Sequence, residues 1–122
     1  DRLVYVGMSG RGKSKEELNE LRSQGKRSGL RERLNQHASG ARSGDQFCVY
    51  VADLLLLPGL SAEQCAAIGS RELSFDSLVK DYVHERLTFR FMETEDGAEA
   101  LRIEAQLKAG ALGQAPLLNP DS

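Results

Sequence analysis

Between Phe47 and Leu57 the chain runs through eleven residues of which only Asp53 is charged. A nearly continuous apolar run of this kind predicts a strand covered on both faces, and therefore one at the centre of a sheet. Pro58-Gly59 breaks it. Two further strands fit around it. Leu3-Val4-Tyr5-Val6 is β-branched and aromatic and is ended by Gly7, and Thr88 to Glu93 alternates, with Phe89 and Phe91 on one face. Helices are predicted over Leu30 to Ala38, with Ser28 as its cap, over Ala62 to Ile68 behind Ser61, and from about Phe75 to Arg86. A last helix leads from Asp96-Gly97 to about Ala111 and is closed by Gly113. The order strand, helix, strand, helix, helix, strand, helix predicts an α/β fold. It is a small sandwich in which a short central mixed or antiparallel sheet is flanked by helices.

At 122 residues the chain has material for one core and is read as a single domain, 1–122. No run approaches the roughly 18 apolar residues that a membrane span needs. Cys48 and Cys65 have neither metal-type spacing nor a disulfide framework; they read as two small buried thiols of a reducing, cytoplasmic compartment. The net charge of −2 hides an asymmetry: residues 1–44 carry ten Lys/Arg against five Asp/Glu, and the remainder six against thirteen. The segment 8–29, rich in Gly, Ser, Lys and Arg, reads as an exposed basic insertion with a short helical stretch over Lys15 to Arg22. The segment 58–87 adds helical material. A basic N-terminal third can be an electrostatic footprint for a polyanion or simply a solvated loop.

One carboxylate stands in the wrong place. At about 100° per residue, Ala100, Leu101, Leu107 and Ala111 make an apolar stripe on the last helix, and Glu104 falls near its centre. Such a carboxylate costs several kcal/mol unless it is paired or bound to a cation. It is either a structural Glu held by a basic side chain or a metal ligand or catalytic acid facing a cleft. Arg33 and His37, spaced i, i+4 on the flank of the Leu30 helix, can converge on one point. A guanidinium can fork two phosphate oxygens and an imidazole can move a proton near neutral pH. A surface Arg beside a half-buried His is the plainer alternative.

Taken in order, Tyr5-Val6-Gly7, then Leu30-Arg31-Glu32-Arg33-Leu34 with His37, then Glu104 and the closing Asn119, resemble the GIY-YIG nucleases from the second half of their motif onward. The resemblance spans residues 3–120. It implies a DNA endonuclease that uses one divalent cation, Mg²⁺ or in its place Mn²⁺, with Glu104 as the metal ligand. It further implies Arg33 on the scissile phosphate and Tyr5 beside the nucleophilic water. His37 would assist proton removal, and Asn119 would brace the site by hydrogen bonds from the C-terminal loop. Gly7 would leave room for the substrate, with Ser9, Arg11, Lys13 and Arg31 as further DNA contacts.

The sequence departs from the family's pattern in three places. The first Gly-x-Tyr strand, which would precede Tyr5 by about ten residues, is absent from a chain that starts at Asp1; it lies upstream or has been lost. The interval from Tyr5 to Arg33 is long for the family, and its excess is the basic insertion, read as a DNA-contacting loop. Met8 and Ser9 stand where many members have a small or basic residue. The alternative function is a non-cleaving nucleic-acid- or protein-binding module with a degenerate nuclease fold. An appended DNA-binding domain is compatible with either.

Overall fold

The computed structural model describes residues 2–8, 16–17, 19–20 and 29–119. The chain divides into two compact units, one of Asp1–Leu34 with Arg90–Ser122 and one of Asn35–Phe89. The helices are α1 (Leu30–Ala38), α2 (Gln46–Tyr50), α3 (Ala62–Gly69), α4 (Phe75–Arg86) and α5 (Gly97–Lys108). Among the described residues there is no β-strand. The expected α/β sandwich with a central sheet is therefore corrected to a helical architecture.

The decisive difference lies in the apolar run. Gln46–Tyr50 is α-helical, Val51–Leu56 continues as wider π turns, and Leu57–Gly59 closes as a 3₁₀ turn around Pro58. An eleven-residue run is long for a strand but gives about three helical turns. Helical spacing also sorts its residues: Phe47, Cys48, Val51 and Ala52 are buried, whereas Asp53, Leu54 and Leu57 are exposed. A strand covered on both faces would have buried the Asp53 carboxylate without a partner, at a cost of several kcal/mol. Helix formation turns it to water.

The other expected strands fail for different reasons. Leu3–Val6 has no regular secondary structure. Thr88–Glu93 is irregular, and Phe89 and Phe91 are both exposed, at 64% and 63%. Alternation supplies a face, but a face needs something to lie on.

Within the Asn35–Phe89 unit the core is the buried side of the Gln46–Leu56 helix packed on α4, which contributes Val79. Helix α3 begins with a reciprocal capping box, Ser61 Oγ accepting from Gln64 N–H and the Gln64 side chain accepting from Ser61 N–H. Ser74 caps α4 by accepting from Ser77 N–H at 3.2 Å. The loop after α1 is pinned to α4: Arg42 Nε lies 2.6 Å from Asp76 Oδ1, with its guanidinium 4.5 Å from the Phe75 ring centre. His84 Nε2 lies 2.9 Å from the Ala38 carbonyl and donates to it at the end of α1. Gly40 makes the close approach possible, for it sits at φ +74 against the first turns of α4.

In the other unit, Asp96 caps α5 by accepting from Glu99 N–H at 2.9 Å. The helix ends earlier than expected, at Lys108. Gly110 at φ +98 forms the left-handed turn, with Ala111 N–H donating to Gln106 C=O and Gly110 N–H to Leu107 C=O, both at 3.1 Å. Gly113 therefore lies beyond the terminator. Glu16, Glu17, Asn19 and Glu20 of the basic insertion are helical; the rest of that segment between 9 and 28 lies outside the described residues, as does Ser28. No helix among the described residues is long and apolar enough to cross a membrane.

A stability comparison checks this packing. A Cβ at Gly40 would overlap the Asp76 carbonyl oxygen and lie 2.7 Å from the Lys80 nitrogen, whereas at Gly44, φ +93, it would meet nothing within 4 Å. Gly40→Ala is expected to lose about 3 kcal/mol in urea unfolding and Gly44→Ala about 1 kcal/mol, the latter from backbone strain alone.

Candidate functional site

A segment outside regular secondary structure has to place its backbone polar groups somewhere. For residues 3–6 the partners come from the far end of the chain. Leu3 C=O accepts from Leu117 N–H at 3.2 Å and Val4 C=O from Leu118 N–H at 2.8 Å. The Gln114 side chain accepts from Leu3 N–H. Asn119 then uses its whole side-chain amide on Val6: Oδ1 accepts from Val6 N–H at 2.7 Å, and Nδ2 donates to Val6 C=O at 2.8 Å. An amide so placed imitates one residue of a neighbouring strand. Val6 and Leu118 are buried beneath this clasp.

Val6 is the middle residue of Tyr5-Val6-Gly7, so the clasp fixes the backbone on which Tyr5 is mounted. The half-buried Tyr5 ring folds back over Gly7, where an added Cβ would lie 2.7 Å from Tyr5 Cε1 and 3.5 Å from its hydroxyl oxygen. The space above Gly7 thus holds the tyrosine's own ring. Glycine serves here as a place for that ring to lie.

On α5, Ala100, Leu101, Ile103, Glu104 and Leu107 share the half-buried side, while Arg102, Ala105 and Gln106 are exposed. The Glu104 side chain is only 11% exposed. Its Oε1 lies 3.1 Å from Lys108 Nζ, one turn further on and 31% exposed. The carboxylate on the apolar stripe is thus paired by a lysine of its own helix. Arg31 and Arg33 are exposed on α1 and form no ion pair among the described residues. Tyr5, Gly7, Arg31, Arg33, Glu104 and Asn119 all belong to one unit. Hydrogen bonds bring Asn119 to the Tyr5 segment; none joins Arg33 to Glu104 among the described residues. Ser9, Arg11 and Lys13 lie outside the described residues.

His37 belongs to the Asn35–Phe89 unit, where it is buried, tilted against the Phe47 ring at 4.5 Å between centres. Its Nδ1 faces both oxygens of Asp45, at 3.1 Å and 2.9 Å. Cys48 Sγ donates to Asp45 Oδ2 at 3.1 Å and lies 3.4 Å from the His37 carbonyl. Burial, and after it the hydrogen bond and the charge of Asp45, push the Cys48 thiol up to about 12. Sequence reasoning named Cys48 only as a small buried thiol and did not single out Asp45, since Gly44-Asp45 looks like any turn. The one available signal was a lone acid just ahead of an apolar helix. Among the described residues no group of three or more His, Cys, Asp or Glu side chains is arranged to hold a metal ion. Comparison with protein-family models, with curated proteins and with solved structures finds no match to this chain.

The expectation of two buried thiols needs correction, because Cys65 is exposed on α3. At pH 8 a thiol reagent is expected to modify Cys65 of the native protein promptly and Cys48 only after denaturant is added. A raised folded pKa means that Cys48 contributes stability that is full below pH 9 and is lost as pH rises toward 12. Replacing Cys48 by Ala should abolish that alkaline loss, as read by unfolding at pH 8 and pH 11.

Proposed function

We propose that this chain is a metal-dependent endonuclease that hydrolyses phosphodiester bonds of DNA, with Glu104 as the cation's protein ligand. The observation that supports this most strongly is the two-bond clasp of Asn119 on Val6. It joins two pieces of the nuclease-like motif that stand 113 residues apart, and it braces the tyrosine-bearing segment from the C-terminal loop. A chance similarity of short words gives no reason for the closing Asn to choose the residue between Tyr5 and Gly7.

Glu104 fits a hard cation. A Mg²⁺ ion is often held by one or two carboxylates, with water and phosphate oxygens completing its shell. Glu104 is a mostly buried carboxylate, and its partner Lys108 is a flexible side chain that a dication can replace. When bound, Mg²⁺ or Mn²⁺ supplies Lewis-acid polarisation of the phosphate and stabilises the departing oxygen. The chain's own groups do the rest. Arg33 lies exposed and can fork two oxygens of the scissile phosphate, holding the charge that grows as it becomes pentacovalent. Tyr5, fixed through Val6, positions the attacking water by its hydroxyl or accepts its proton. Arg31 and the basic segment 8–29, with Ser9, Arg11 and Lys13, serve the DNA backbone. The exposed free thiol Cys65 supports a reducing, cytoplasmic setting.

The Lys108–Glu104 pair also favours a second reading, a non-cleaving module that binds nucleic acid or a protein. An ammonium already neutralises the carboxylate there, as a purely structural Glu requires. Incubating supercoiled plasmid with purified protein and Mg²⁺ or Mn²⁺ separates the two. The nuclease reading expects nicking that EDTA stops and that Glu104→Ala reduces by at least about 10²-fold, a loss typical of removing one transition-state contact. Salt-sensitive DNA retardation without any metal-dependent nicking decides for the binding module. Undiminished nicking by Glu104→Ala overturns the assignment of the metal ligand.

A further inference from the structure

A carboxylate on an apolar helix stripe is costly to desolvate, and one half-solvated ion pair offsets only part of that cost. Glu104 is in this position. Its side chain is 11% exposed, on the side of α5 that also carries Ala100, Leu101, Ile103 and Leu107. Its counter-ion is Lys108, whose Nζ lies 3.1 Å from Oε1 and whose side chain is 31% exposed. Among the described residues no backbone N–H and no second side chain donates to the carboxylate. An alanine or leucine at position 104 would continue the stripe without this cost. The chain instead keeps an acid there with a single lysine beside it.

That lysine is placed so that it can leave. Lys108 is the last residue of α5, with Ala109 as the C-cap and Gly110, at φ +98, turning the chain away. An ammonium over the last turn is favoured by the helix dipole whether or not it touches the carboxylate. Its flexible four-carbon stem lets the charge swing into water while the apolar part stays on the surface. Glu104, mid-helix and mostly buried, has no such freedom.

We infer that Lys108 is the counter-ion that Glu104 holds in the metal-free chain and gives up to a divalent cation, so that Lys108 sets how much cation the site needs. The exchange makes and breaks no covalent bond; the ammonium passes to solvent at the helix end. It also discriminates by charge. A monovalent ion offers the carboxylate no more charge than the ammonium already there, whereas a dication offers twice as much. The exchange rests on the reading of Glu104 as the metal ligand given above; the pairing of Glu104 with Lys108 in the metal-free chain does not.

The test joins metal binding to stability, both without DNA. Mn²⁺ binding to the full chain, followed by loss of the free-ion electron paramagnetic resonance signal, is expected to tighten about 3- to 10-fold in Lys108→Met, the range of a directly coupled pair. Lys108→Arg, which keeps the charge and can fork the carboxylate, is expected to bind Mn²⁺ no more tightly than the wild type. Arg102→Met removes the same charge from the exposed side of α5 and is expected to change the affinity by less than about twofold. Unchanged or weaker binding in Lys108→Met, or equal tightening in Arg102→Met, overturns the inference; loss of binding in Glu104→Gln alongside either result leaves the metal-ligand reading standing. Binding that is undiminished in Glu104→Gln, or absent from both the wild type and Lys108→Met, overturns that reading and the exchange with it. Urea unfolding of the metal-free chain tests the pairing by itself. The stability lost in Lys108→Met is expected to disappear when residue 104 is already changed by Glu104→Gln, and an equal loss in both backgrounds contradicts the pairing.

Discussion

Backbone groups that leave water must be paired, and where the described residues form no strand, the pairing of an irregular segment has to come from single side chains and other chain segments. The N-terminal segment Leu3–Val6 depends on this constraint. Its carbonyls are met by the N–H groups of Leu117 and Leu118, and Val6 is met at both of its polar atoms by one amide, that of Asn119. Loss of such an amide leaves a buried donor and a buried acceptor unsatisfied, at about 1–3 kcal/mol each. The placement of Tyr5, the ring that lies over Gly7 and the burial of Val6 and Leu118 all follow from the closing of the two chain ends on each other.

The second buried polar arrangement obeys the same rule with charge added. Asp45 is taken out of water and is met by an imidazole and a thiol, His37 and Cys48. The same helix start thereby gives up its own cap. A local rule broken at one position, with its compensation visible at two others, is the pattern expected where a side chain has been placed for a purpose.

Much of the helical content was legible. Helix α4 runs over Phe75–Arg86 as the sequence reading expected, and Ser61 begins α3, there with a capping box. The half-buried side of α5 carrying Glu104 is the stripe that helical arithmetic draws, although the partner is Lys108 of the same helix. The expected sheet has no counterpart among the described residues, none of which is in a strand. In Phe47–Leu57 continuous hydrophobicity fits a buried strand and a buried helix alike, and Asp53 was the residue that could have decided, since only a helix takes it to the surface. Phe89 and Phe91 alternate as strand residues do, yet they are exposed. The Asp45–His37 contact spans eight residues across a loop, and no periodicity encodes a contact of that kind. The pairing of Asn119 with Val6 is a tertiary contact that the sequence supplies only as two words at opposite ends.

The central claim is that Glu104 gives this chain a divalent cation with which to cut DNA. Single-turnover hydrolysis of an end-labelled DNA duplex across a Mg²⁺ titration tests it most directly. The account predicts a cleavage rate that saturates with Mg²⁺ in the wild type and disappears in Glu104→Gln, which keeps the size of the side chain and removes its charge. Absence of cleavage at every Mg²⁺ and Mn²⁺ concentration, or an equal rate in the variant, would contradict it.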